Sequence, residues 1–441
     1  MLVQIASDFS VSNEVVSRIP TLAQGGYGCG IVLITPLGDL VRRRPLVLIL
    51  MFLSSTLSIG LALSRNVQML EALSFIVGVL TASLFFTPIS DRVDREKGDS
   101  PDIARSMSIT LSGLIFGLVL GRVLGGIISN LASWRDTYWL AVGLQAMMTG
   151  VLWLTLPDTP DKGIGLSYFQ VLLSMGKFMV TYPTLVQACF IAFFVSSVFA
   201  GFWTTLTFLL SDAPYHYNSL DIGLFGLLGI VGALLAPQWG RLIDRVVPWL
   251  GQFIGICIGL VSMIIALTAA RVNIGAICVS IVLWDMAQQL FQIASSYRIA
   301  GIDPKARARL NGCYLLCSFA GQTSGTAILT KIYNTYGWTA TGGCAVASVG
   351  AGMMILLSRG PHEMRWIGWR GGAQLLKRET LTDLSPHAVT ELVRAREKEV
   401  IVGNGMDLNE AERGRVRQGI PMKHEAVDSG AVVAGGTINP T

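Results

Sequence analysis

Charge is what this sequence has least of. Only 14% of its 441 residues are Asp, Glu, Lys or Arg, against a hydrophobic share of 52% and a mean hydropathy of +0.57. A soluble domain carries roughly 25% charged residues. A soluble globular fold is therefore excluded, and the net charge of +5 is no sign of nucleic-acid binding, because the charges cluster between apolar runs. Histidine is scarce too: His216, His362, His387 and His424 all fall in loops or the tail, so no intramembrane His relay is available. The seven cysteines form no CxxC pair and read as small apolar residues rather than as a metal or redox site. GxxxxGK[ST], HExxH and GxSxG are all absent. ATP drive, a membrane enzyme and a bound cofactor or metal have no support in the sequence.

What fills the space is apolar sequence. Runs near the ~20 residues needed to cross a bilayer fall at 15–40, 46–63, 67–88, 106–131, 137–156, 185–210, 221–240, 249–270, 274–297, 310–333 and 338–357, which makes eleven. The expected fold is all-α, a polytopic helical membrane bundle. Residues 1–156 form an N-terminal half, 157–184 a linker that includes an interfacial helix, 185–357 a C-terminal half and 358–441 a mostly disordered tail. Alternate loops carry fifteen Lys and Arg residues, among them Arg42–Arg44, Arg92, Arg95, Arg241, Arg245 and Arg298, whereas the opposite loops carry four: Arg18, Arg65, Arg135 and Arg271. The positive-inside rule makes the first set, the linker and the tail cytoplasmic.

One stretch organises the rest. In residues 106–134 Gly113, Gly117, Gly121 and Gly125 recur every fourth position, which puts them near one helix face. Such a face lets helix backbones approach closely in lipid. It has an echo: Arg105, Gly117, Gly121 and Trp134 correspond to Arg309, Gly321, Gly325 and Trp338, each 204 positions on. All six glycines are expected to pack helices, the two stretches against each other. Shifted back by 204, the run 185–210 falls before Met1, while Asp8 corresponds to Asp212. That is the pattern of a six-plus-six protein without its first helix, in an incomplete or alternatively started chain; an intrinsically eleven-span protein is the alternative.

Two repeated halves joined by a cytoplasmic linker form a known transporter plan, with substrate bound between the halves. Two turns sharpen the likeness. One reads Pro36-Leu37-Gly38-Asp39-Leu40-Val41-Arg42-Arg43-Arg44; the other reads Gly240-Arg241-Leu242-Ile243-Asp244-Arg245. On these residues the chain resembles the major facilitator superfamily, whose signature there is a Gly, three residues, then Asp-Arg and further basic residues. The resemblance implies a gating latch at Asp39, Arg43, Arg44, Gly240, Asp244 and Arg245, since an Asp at a helix end facing a basic turn can form charge-assisted hydrogen bonds. The glycine helix resembles the fifth helix of antiporters in that family, although Gly126 stands where Pro belongs. This implies efflux.

Polar residues inside spans mark candidate function. Arg122 lies within the glycine helix, and an Arg at mid-membrane costs about 2.5–3.5 kcal/mol on insertion scales. Asp285 sits mid-span, with Gln288, Gln289 and Gln292 at three- and four-residue spacings on one helix face. A carboxylate in a desolvated cavity takes a proton more readily than in water, so Asp285 is the candidate for a proton or a cationic substrate and Arg122 is its natural complement. Trp203 is a candidate cavity-lining aromatic. These features predict a monomeric secondary transporter of the plasma membrane, moving a small organic solute by alternating access in proton-coupled efflux. Nutrient or sugar uptake on the same fold and a truncated inactive carrier are the alternatives; a receptor that kept the carrier fold is a further one.

Overall fold

The computed structural model describes residues 1–82, 101–156, 167–230, 238–239, 246–303, 306–361, 363 and 365–369. They fall within one compact unit, Met1–Lys377; a second unit, Arg378–Thr441, lies outside the described residues. The described elements are helices: α1 Leu2–Asp8, α2 Asn13–Leu40, α3 Arg43–Ala62, α4 Val67–Thr81, α5 Pro101–Leu131, α6 Trp134–Thr155, α7 Tyr168–Thr181, α8 Pro183–Ser211, α9 Ser219–Leu224, a 3-10 turn Phe225–Leu228, α10 Pro248–Ala269, α11 Ile274–Ala300 and α12 Arg307–Leu357.

The helices begin where capping chemistry places them. Asn66, Ser133, Asn218 and Asn273 accept a hydrogen bond from a backbone N–H of the following turn, and Ser133 and Asp136 form a capping box. Pro183 and Pro248 stand in the first turns of α8 and α10, where a missing N–H costs nothing. Each expected apolar run falls on a described helix in whole or in part. Six helices among the described residues are long and apolar enough to cross a membrane, the largest being Pro183–Ser211, Ile274–Ala300 and Arg309–Leu357. The last joins two expected runs. Gly337, at φ 78°, breaks it where a residue with a Cβ would be strained.

The run 221–240 departs from a simple helix. α9 tightens after six residues into the 3-10 turn, in which side chains three apart eclipse. Gly223, Gly226 and Gly229 keep that three-residue step. The expected linker helix is α7. It buries Val171 and Met175, and Tyr168 Oη donates to Leu33 O at 3.1 Å. Its Phe169, Leu173 and Val180 stay exposed as an apolar outer face.

The largest core surrounds α8, whose Leu185, Ile191, Val198, Leu206 and Leu210 are buried among Trp249, Ile281, Trp284, Phe291 and Leu310. A smaller core joins Ile5, Val16, Ile19, Leu61, Leu70 and Trp134. Among the contacts that link the segments expected as halves, two stand out. In one, Tyr27 of α2 stacks on Phe319 of α12 at 5.2 Å, beside a Thr326 Oγ1–Gln24 Oε1 hydrogen bond of 3.1 Å. In the other, α5 packs on α9 and the 3-10 turn.

After α12 the chain turns back. Gly360 N donates to Gly368 O at 2.9 Å, and Trp249 Nε1 donates to Arg359 O at 2.9 Å. This part of the expected tail is folded; residues 370–441 lie outside the described residues.

Candidate functional site

The contact between α5 and the second half is made by glycine. A methyl group on Gly126 would stand 2.6 Å from Gly223 Cα, and one on Gly226 would stand 2.9 Å from Arg122 Cβ. Nothing larger fits at these positions. The close approach places Arg122 beside α8, where its guanidinium carbon lies 3.5 Å over the centroid of the Trp203 ring. That is cation–π geometry, attractive by about 2 kcal/mol when desolvated. The same indole turns its N–H the other way, and Trp203 Nε1 donates to Asp285 Oδ1 at 3.3 Å. Asp285 is 8% exposed. Its second oxygen faces Gly229, where a methyl group would stand 2.8 Å from Oδ2 and 3.3 Å from Val119 Cγ2 of α5.

Arg122 and Asp285 are thus coupled, though not as the direct pair expected from sequence. Trp203 stands between them, stacked on one and hydrogen-bonded to the other. The physical reason is width: an indole can fill the gap between α5 and α11 with its ring while serving a charge on its face and another at its edge. No hydrogen bond or ion pair joins Arg122 to any other described residue. Its donors stay free at a half-buried position.

The four polar residues of α11 do not act as one face. Gln288, 9% exposed, lines a cavity of about 10 Å³ inside the second half with Val195, Gly255, Trp284 and Phe291. Gln288 Oε1 and Trp284 Nε1 are each buried without a protein partner. Gln289 and Gln292 are partly exposed.

The glycine stripe also divides. Gly321 and Gly325 sit against the backbone of Phe193 and Ser197 on α8, whereas a methyl group on Gly113, Gly117 or Gly121 would meet nothing within 4 Å, and one on Gly125 would meet only Thr137 Cγ2 at 3.7 Å. Among the described residues the first three therefore make no helix contact, and α5 does not face its echo. Spacing supplies a smooth face, but contact needs a partner helix, which α8 provides for α12 alone.

Of the expected latch, Gly240, Asp244 and Arg245 lie outside the described residues, as do the side chains of Asp39 and Arg43. Arg44 donates from Nη2 to Trp153 O at 2.8 Å, tying the start of α3 to the end of α6. Sequence reasoning missed Gly223, Gly226 and Gly229; their three-residue step was the available signal. The repeat paired Asp8 with Asp212, but what each carboxylate binds was not legible. Asp8 accepts from Trp134 Nε1 at 3.0 Å and pairs with Arg135 at 2.9 Å, and Asp212 accepts from Tyr333 Oη at 2.9 Å. The Trp134 indole N–H, with the Arg135 guanidinium, holds the Asp8 carboxyl below its ordinary value of 3.8.

An all-helical membrane protein with glycine-tight contacts and a charged cluster where its segments meet has the architecture of a secondary carrier. The profile of the Major Facilitator Superfamily matches residues 1–296. The chain belongs to that family, and it is a multi-pass membrane transport protein. The uncharacterized transporter YgaY of Escherichia coli O157:H7 is 29% identical over 373 residues, covering 84% of this chain and 90% of the relative. The probable transporter SCO4007 of Streptomyces coelicolor is 27% identical, with 79% of each chain covered. Among solved structures, the human organic anion transporter MFSD10 has a TM-score of 0.65 at 16% identity, covering 80% of this chain and 88% of its own. The nucleoside transporter NupG has a TM-score of 0.60 at 13% identity, covering 80% and 92%. At such identities these structures share the fold.

Proposed function

We propose that this chain is a proton-coupled secondary transporter that exports a small organic solute across the plasma membrane by alternating access, with its tail on the cytoplasmic side. The observation that carries the reading is the Arg122–Trp203–Asp285 chain, which links α5 of the first half to α8 and α11 of the second. Rocking of the halves about a central site must change the distance between Arg122 and the Trp203–Asp285 pair. The charge environment of the carboxylate then differs between the two conformations, which is how one site couples a proton to movement. Export rests on the resemblance of α5 to the glycine-rich helix of antiporters, and the cytoplasmic latch on Asp39, Arg43, Arg44, Gly240, Asp244 and Arg245 remains part of the proposal.

The test is transport in proteoliposomes holding an imposed pH gradient and a trapped pH-sensitive dye, with 1-naphthylacetate, 1-naphthylmethylamine and thymidine as probes. Solute-induced proton movement in the wild type that Asp285→Asn removes is the expected result. Movement opposite to the solute identifies exchange, and movement with it identifies co-transport. Solute flux that ignores the pH gradient in the wild type sinks proton coupling.

A further inference from the structure

We infer that the cargo is an organic anion, a carboxylate or like group on a flat apolar body, and that Arg122 is its recognition residue. The inference rests on the proposed reading in one respect only: that Arg122 faces the solute path.

A guanidinium carries five N–H donors in a planar fork suited to bidentate pairing with a carboxylate. In the membrane such a group finds acceptors or costs dearly. Here the plane of the guanidinium is used, stacked 3.5 Å over Trp203. Its edges are not: no hydrogen bond or ion pair joins them to any described residue. A residue kept for structure would spend those donors on a carbonyl, as Arg298 spends its own on Gln252 Oε1 and Gln187 Oε1 at 2.8 Å each. The two arginines lie in one bundle, and they differ in whether their donors are used.

The position completes the case. Arg122 is half-buried, so its edges remain reachable. Beside it stand the Trp203 ring and the side-chain-free Gly226, apolar surfaces that suit a flat ring, and the Asp285 carboxylate beyond them accepts from Trp203. A cationic solute would have to approach Asp285 past a fixed positive charge, and a neutral one would leave the fork unsatisfied. An anion satisfies it. The Asp285 carboxylate balances Arg122 at a distance, with Trp203 between them, and so competes with an incoming anion for the same charge. This gives two substitutions opposite signs.

The experiment is equilibrium binding to the purified full-length chain in detergent, read by quenching of tryptophan fluorescence, with three probes of one shape: 1-naphthylacetate, 1-naphthalenemethanol and 1-naphthylmethylamine. The acetate is expected to bind best. Arg122→Gln should weaken it roughly tenfold to a hundredfold, as loss of a charge-assisted hydrogen bond does. Arg122→Lys, which keeps the charge and loses the fork, should fall between, and Asp285→Asn should tighten binding. The opposite signs keep the test sound should one variant fold poorly. The inference is overturned if the acetate does not bind, if the amine or alcohol binds as tightly, or if Arg122→Gln leaves acetate binding unchanged. Binding with this pattern but no flux in proteoliposomes would overturn the carrier reading while leaving the anion site standing.

Discussion

Helix α5 and the start of α12 are copies in sequence and opposites in structure. Gly117 and Gly121 repeat as Gly321 and Gly325, yet the second pair lies against the α8 backbone and the first meets nothing within 4 Å among the described residues. Arg122 repeats as Thr326. Both positions sit near a contact with the other half, but Thr326 closes a neutral hydrogen bond to Gln24 while Arg122 keeps its donors free. The second half is built around α8, and no described helix plays that part for α5. The difference teaches that the repeat carries architecture only where a partner completes it. The positions that break the repeat carry the specific chemistry.

The largest expected effect breaks or upholds the glycine half of that comparison. Gly325→Leu drives a side chain into the Ser197 backbone, a buried clash that no rotamer relieves. It should destabilise the protein by about 3 kcal/mol or more, at or above the upper end of overpacking costs. Gly121→Leu enters open space and should stay within about 0.5 kcal/mol, as substitutions that meet no neighbour do. Thermal unfolding of the two variants in detergent checks this; equal losses would abolish the contrast between the copies.

Next comes the charged half. Trp203→Phe keeps an aromatic face for Arg122 but removes the donor to Asp285. Loss of a hydrogen bond to a charged group should slow gradient-driven transport roughly tenfold. The matching change at the neutral contact, Thr326→Val, removes one buried hydroxyl that also bonds within its own helix, and should slow transport only about threefold, as loss of a neutral hydrogen bond does. Comparable losses in the two variants would mean that the two contacts are equivalent after all.

Much of this was legible in the sequence, for reasons of period and polarity. Apolar run length located the six described helices long enough to cross a membrane, and the 204-residue repeat located the pairs Asp8–Asp212 and Trp134–Trp338. Asp285 and Arg122 announced themselves as charges where charges are costly. The role of Trp203 as the bridge between them could not be read, because an indole in a membrane helix looks the same whether it faces lipid, core or a charge. Nor could the open face of α5, since spacing describes a surface without naming its neighbour. Gly223, Gly226 and Gly229 were legible only to a reader looking for a three-residue step, and a four-residue expectation passes over them.

The smallest effect tests the outer anchors, where the two copies of one carboxylate differ again. Asp8 is ion-paired with Arg135 and bonded to Trp134, whereas Asp212 accepts a neutral hydroxyl from Tyr333. Because Asp8 is held below its ordinary value of 3.8 when folded, its contribution is present at neutral pH. It is lost as pH falls through 3.8 and below, where the unfolded chain takes up the proton first. Both partners are substantially exposed, so the contribution should stay below about 1 kcal/mol, the upper range for surface pairs. Asp8→Asn should therefore lower the unfolding temperature slightly at pH 7, with the gap to the wild type narrowing as pH falls below 3.8. A gap between the two that widened on acidification would place the stabilisation elsewhere than in this ion pair.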